Sequence, residues 1–197
     1  MRSVDIVNSY YCQQNQVNTT INAITESREN LALRDAQKVD ETIFELHRKL
    51  NSGSASDADA ARAELKRIEV ERPLFGVPVS IKHFFAIQNF LETGGIRVRM
   101  LKDKRSSRNA ELVDCLLRAG AILLCHTNAP ELGMWSETAS CFGRTNNPYD
   151  TRRTCGGSSG GEGALVSTAY PSPYPRDLDE LILELPVVGV TTITYQK

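Results

Sequence analysis

The sequence predicts an α/β fold, and three observations carry that reading. Val77, Val79 and Ile81 alternate through FGVPVSIK with the period of a strand. Leu112, Val113, Leu116 and Leu117 form an apolar helical set that Asn109 can cap and Gly120 can stop. AILLC at 121–125 then reads as a short, fully buried strand. Strand, helix and strand in this order imply a parallel pair joined by a right-handed crossover. Sites in such sheets lie beyond the carboxyl ends of the strands, where Lys82 falls on the first of them.

From Ser3 to about Pro73 the periodicity is helical. Val39, Ile43, Leu46 and Leu50 recur at steps of four, three and four, placing one apolar stripe on a helix from about Glu26 to Asn51, which Asn51-Ser52-Gly53 ends. Ser56 is the expected N-cap of a further helix through Ala60, Leu65 and Ile68 that stops before Pro73. Nothing in this stretch carries chemistry, and it reads as scaffold. Pro78 inside the first strand predicts an edge position or a bulge. From His126 to Ala169 the chain reads as a long loop with turns such as Asn146-Asn147-Pro148, followed by the glycine cluster CGGSSGGEGALVSTA. A loop this long inside a compact domain is usually functional. The expected organisation is a helical portion at 1–73, a core portion at 74–169, and a tail of different composition at 170–197 that opens on YPSPYP.

Composition narrows the function classes. The 197 residues are 41% apolar and 24% charged, as in a globular chain. With 23 Lys and Arg against 24 Asp and Glu the net charge is -1, so no global field recruits nucleic acid, and no nucleic-acid partner is expected. The basic cluster Arg97, Arg99, Lys102, Lys104, Arg105 and Arg108 reads as a solvated loop before it reads as a membrane or acidic-partner contact. No apolar run approaches the roughly 20 residues that span a bilayer, and the N-terminus has no secretory pattern. The five cysteines contain no C-x-x-C pair and no metal-ligand spacing, which reads as reduced thiols, a cytoplasmic setting and no metal site.

The glycine cluster is the strongest local signal, and several readings compete for it. A phosphate-cradling loop needs a Lys after its last Gly, where Glu162 stands. G-x-G-x-x-G fits in no register. Gly156 to Gly160 satisfies the G-x-S-x-G nucleophile elbow, but that elbow requires a downstream His, and the last one is His126. A glycine-rich linker remains open. So does a lysine base: an amine can deprotonate a serine only when neutral, so Lys82 would have to titrate below its ordinary value of about 10.4. A solvated strand-end charge is the plain alternative for that residue.

The stretch from about Ser3 to Ala169 resembles the amidase signature family, and within it the fatty-acid amide hydrolases. The residues that carry the resemblance are FGVPVSIK around Lys82, LLRAGAILLCHTNAPELGMW, GRTNNPYD and, above all, GGSSGGEGALVSTA. It implies the N-terminal part of the amidase signature fold, a mixed, largely parallel sheet flanked by helices. It also implies amide hydrolysis by a Ser-Ser-Lys triad without a cofactor. By position in the motifs Lys82 matches the base. Ser158 matches the bridging serine, which follows a cis peptide bond, and Ser159 matches a serine that supports the network by hydrogen bonding. Met134 lies near positions that line the acyl channel in the fatty-acid branch.

Two departures from the family pattern stand out. His83 follows the lysine where the family usually has an acidic residue. The acyl-forming nucleophile, which the family carries further along in a T-D-x-G-G-S-I-R type segment, has no counterpart: Leu181-Ile182-Leu183 stands there, and Ser167 and Ser172 lack the glycine pair that builds an oxyanion hole. The expectation is therefore a truncated chain, inactive alone, from a family acting on fatty-acid or other small amides. The alternative is a non-catalytic product that binds a full-length relative or a lipid. Peripheral membrane contact and homo-oligomerisation stay open at this level.

Overall fold

The structure is a computed structural model that describes residues 2–168; the tail at 170–197 and Ser172 lie outside the described residues. Among the described residues three strands form the main sheet in the order β1-β3-β2, where β1 is Ile24–Ser27, β2 is Pro78–Lys82 and β3 is Ile122–Thr127. β2 and β3 are parallel and β1 is antiparallel to β3, which makes the sheet mixed. Pro78 meets the edge expectation, since among the described residues β2 pairs on one side only, with β3. The register irregularity lies on the partner strand and not at Pro78: between Val79 and Ser80 of β2, Leu124 of β3 is the extra residue. The bulge turns Ser80, Lys82, Cys125 and Thr127 toward one face of the sheet and leaves Ile81 and His126 on the other.

Helices α1 (Ser3–Ile21) and α2 (Glu29–Leu50) cover the first face. There Val7, Tyr11, Ala32, Ala36 and Val39 pack on Ile122, Leu124 and Cys125. Helix α3 (Ala55–Glu71) lies on α2 through Leu46, Ala61 and Ile68. On the opposite face, Val79, Ile81 and Leu123 meet Val113, Leu116 and Leu117 of α5 (Glu111–Arg118), together with Ile87 and Phe90. Each wholly buried aliphatic side chain in these layers contributes about 1.5–3 kcal/mol. A one-turn helix, α4 (Arg97–Leu101), sits in the connection between β2 and α5. The crossover ends on Gly120, whose φ of +95° and close approach to the Phe75 backbone exclude a side chain.

Several boundaries differ from the sequence reading. Ile24–Ser27 is a strand and not the lead-in to a helix: it pairs with β3 and divides the helical N-terminal stretch, so that α2 starts at Glu29. Ser54, not Ser56, caps α3, accepting from the Asp57 N–H at 3.3 Å. Asn109 is not the N-cap of α5: its side chain accepts from Gln88 N–H and donates to Asp114, while Ala110 holds the cap position. β3 runs two residues beyond AILLC, to Thr127. The long loop contains a 3-10 turn at Glu131–Gly133 and a small hairpin of β4 (Ala139–Ser140) and β5 (Gly143–Arg144). The glycine cluster is not all loop, since it continues into α6, Gly160–Ser167, packed on the face that carries Lys82.

Candidate active site

Lys82 closes β2 at the carboxyl end of the strand and is 8% exposed. Its amine donates to Ser158 Oγ at 2.8 Å and to Ser159 Oγ at 2.9 Å. Three of the residues singled out from the sequence therefore meet at one point, although 76 and 77 positions separate the serines from the lysine. The Gly157–Ser158 peptide bond is cis.

Close backbone approach explains the glycines around these serines. A Cβ on Gly157 would stand 2.5 Å from the Trp135 carbonyl oxygen, and one on Gly160 2.6 Å from Cys155 Sγ. At Gly161 it would overlap the Asn128 backbone nitrogen and oxygen. Thr138 holds the turn from beneath, its hydroxyl donating to the Gly156 carbonyl at 2.9 Å and accepting from the Gly160 N–H at 3.0 Å. Asn128, just past β3, accepts from the Gly161 N–H at 3.1 Å. Its own position is fixed by side-chain bonds to Gly143, Thr145 and Ser140. The cluster is thus a close-packed turn into a helix, neither a linker nor a phosphate cradle.

Two opposing influences act on the Lys82 amine. Burial pulls its pKa below the ordinary lysine value, and the buried Glu162 carboxylate pulls it back up. Burial raises the Glu162 pKa, while hydrogen bonds from Ser80 and Thr127 and the Lys82 charge oppose that rise. His83, beside the lysine in sequence, is turned to the opposite face. Its ring nitrogens meet Thr25 Oγ1 at 3.1 Å and Thr93 Oγ1 at 2.7 Å, and its ring packs edge-on against His126 at 5.0 Å. Burial, assisted by His126, lowers the His83 pKa to about 4. His83 is therefore a neutral packing residue at pH 7, with its hydrogen bonds directed away from the amine.

Met134 is 83% exposed, so no wall of a closed channel surrounds it among the described residues. It follows Gly133, which packs on the Phe84 ring, and that ring lies 5.9 Å from Lys82 Nζ. Sequence reading missed Ser80, Thr127, Thr138 and Glu162 as parts of the site. The alternation that exposed β2 also placed Ser80 on the face of Lys82, and a carboxylate inside the apolar segment GGEGALVS was the available signal for Glu162. No group of residues able to hold a metal occurs among the described residues, and no helix there is long and apolar enough to cross a membrane.

A mixed sheet layered between helices, with a buried strand-end lysine set against a glycine-serine turn, defines the α/β architecture of the amidase signature enzymes. The chain belongs to that family: residues 39–170 match Amidase. Fatty-acid amide hydrolase 2-A of Danio rerio is 39% identical over 165 residues, covering 83% of this chain and 28% of that protein. Human fatty-acid amide hydrolase 2 is 35% identical over 170 residues, covering 86% and 29%. In structure, a fatty acid amide hydrolase superposes with a TM-score of 0.67 at 21% identity, over 85% of this chain and 26% of its own length. The chain thus spans less than a third of the relatives it matches.

Proposed function

We propose that these residues form the base-and-relay half of an amide hydrolase site whose substrates are carboxylic amides, in particular fatty-acid amides. The observation that carries the reading is the pair of hydrogen bonds from Lys82 Nζ to Ser158 and Ser159. In this scheme Lys82 reacts as the neutral amine. It takes the Ser158 proton as Ser158 takes the proton of an attacking serine hydroxyl, and the same relay then returns a proton to the departing amine nitrogen. Ser159 keeps the lysine in place. In this reading an acyl chain would approach from the side of the exposed Met134 and of Phe84, whose ring lies 5.9 Å from Lys82 Nζ. The fatty-acid assignment rests on the similarity to the two fatty-acid amide hydrolases 2.

No Gly-Gly-Ser element follows Ser158 among the 197 residues, so the chain as given supplies the proton path without the attacking group. We expect it to show no hydrolysis of a long-chain fatty amide and no serine labelling by a fluorophosphonate. Labelling of one serine that Lys82→Ala abolishes would overturn that part. The base role is tested by joining residues 1–168 to the C-terminal portion of the Danio rerio relative. Turnover should then rise with pH until the lysine is neutral, and Lys82→Ala should lower kcat with little change in KM. Near-normal turnover in that variant would sink the assignment of Lys82, and that of Ser158 with it.

A further inference from the structure

Glu162 is a wholly buried carboxylate in the first turn of α6, three residues past Ser159. Buried carboxylates are rare unless paired or fully hydrogen-bonded. This one is bonded at both oxygens: Ser80 Oγ donates to Oε2 at 2.5 Å, and Thr127 Oγ1 donates to Oε1 at 2.7 Å. The two donors have a specific relation to Lys82. Ser80 lies two residues before it on β2, and Thr127 is its register partner on β3. The carboxylate therefore ties the strand ends that carry the lysine to the helical turn that follows the two serines.

The electrostatic setting is sparse. Lys82 is the titratable group facing Glu162 from β2, and Cys125 is the one from β3. On α1, Tyr11 turns its hydroxyl to the Leu124 carbonyl at 2.7 Å. His83 and His126 occupy the other face of the sheet. Glu162 is the one charge that acts on the Lys82 amine among the described residues.

We propose that Glu162 is a positioning residue for Lys82: through Ser80 and Thr127 it fixes the amine against Ser158 and Ser159, and it supplies the negative charge that sets the pH at which the amine gives up its proton. The inference rests on Lys82 as the base. Its chemical content is that the site needs a lysine poised between two states. Burial lowers the amine's affinity for a proton, and the carboxylate restores part of it. Burial raises the Glu162 pKa, and the hydroxyls of Ser80 and Thr127, donating to its two oxygens, oppose that rise by favouring the anion over the acid.

The test follows both groups by NMR in the 197-residue chain carrying carbon-13 in lysine and glutamate, with no substrate present. In the unmodified chain the Glu162 carboxyl signal should be that of the anion at every pH over which Lys82 titrates. In Glu162→Gln the Lys82 midpoint should fall by about one pH unit, a tenfold loss of proton affinity, as expected for removing a nearby opposite charge. Glu162→Asp, which keeps the charge, should recover most of the shift. A Lys82 midpoint unchanged or raised in folded Glu162→Gln overturns the proposal. So does a Glu162 carboxyl that remains protonated through the lysine titration, a result available even if the variant does not fold. The readout is the proton on Lys82 and not turnover, so failure here leaves the base assignment standing. Failure of the Lys82→Ala turnover test leaves this titration interpretable.

Discussion

Gly161 and Gly163 lie on the same short helix, and the structure assigns them opposite responses to the same substitution. At Gly161 a methyl would overlap Asn128 N and O and stand 3.0 Å from its carbonyl carbon. Asn128 cannot retreat, because its N–H donates to the Ala23 carbonyl at 2.7 Å and its side chain holds Gly143, Thr145 and Ser140. Helix α6 must move instead, which breaks the Gly161 N–H to Asn128 O bond. Overpacking against backbone costs about 1–3 kcal/mol, and the lost hydrogen bond about 1 kcal/mol more, giving a loss of about 3 kcal/mol for Gly161→Ala. Gly163 is exposed, with nothing within 4 Å of its added Cβ. Gly163→Ala should therefore gain about 0.5–1 kcal/mol from helix propensity. Urea unfolding followed by circular dichroism reads both. With a slope of about 2 kcal/mol per molar, the midpoint should drop by about 1.5 M in the first variant and rise by a few tenths in the second. A Gly161→Ala midpoint equal to that of the unmodified chain, or a Gly163→Ala loss as deep as that of Gly161→Ala, would refute the packing argument.

The histidine pair makes stability depend on pH. His83 and His126 both have pKa values lowered to about 4, chiefly by burial, whereas the unfolded chain protonates near 6.5. Their contribution is complete above pH 6.5 and is lost as pH falls from 6.5 toward 4, because the unfolded state then binds protons that the folded state refuses. Unfolding free energies from urea titrations at pH 7, 5 and 4 should decline by several kcal/mol in total, and His126→Leu should flatten the decline; a level profile between 7 and 5 would contradict it. Tyr11→Phe removes the hydroxyl that serves the buried Leu124 carbonyl at 2.7 Å. The Arg28 N–H still donates to that carbonyl at 2.8 Å, so the cost should be about 1 kcal/mol in the same assay, and an unchanged midpoint would mean that this second donor suffices.

The elements that could be read from the sequence are those that carry their own pattern. β2 announces itself by alternation and β3 by a continuous apolar run, and the parallel pairing follows from the helix between them. β1 has no such pattern. ITES is four residues between two helices, and it is a strand because Glu26 and Ser27 find partners on β3. Pairing of that kind is tertiary information. α6 is hidden for a different reason: Gly160, Gly161 and Gly163 are poor helix formers, and the first two are present because the backbone of Asn128 and the side chains of Thr138 and Cys155 leave no room for a Cβ. At the site, Lys82, Ser158 and Ser159 could be named from motif and resemblance. Glu162 and Thr127 could not be brought together from the sequence, because their contact depends on α6 docking on the sheet and on the bulge at Leu124, which turns Thr127 to the face that α6 covers.

The hydrogen bonds from Lys82 to Ser158 and Ser159 join segments 76 and 77 residues apart. They require that the crossover already be closed, that β1 be seated, and that α6 be docked on Asn128. Contacts of such long separation form late, after the loops they close have lost their freedom. An unfolded or half-assembled chain therefore presents an ordinary, solvated lysine with ordinary basicity. The lowered proton affinity of the Lys82 amine is thus a property of the packed segments together, and none of them carries it alone.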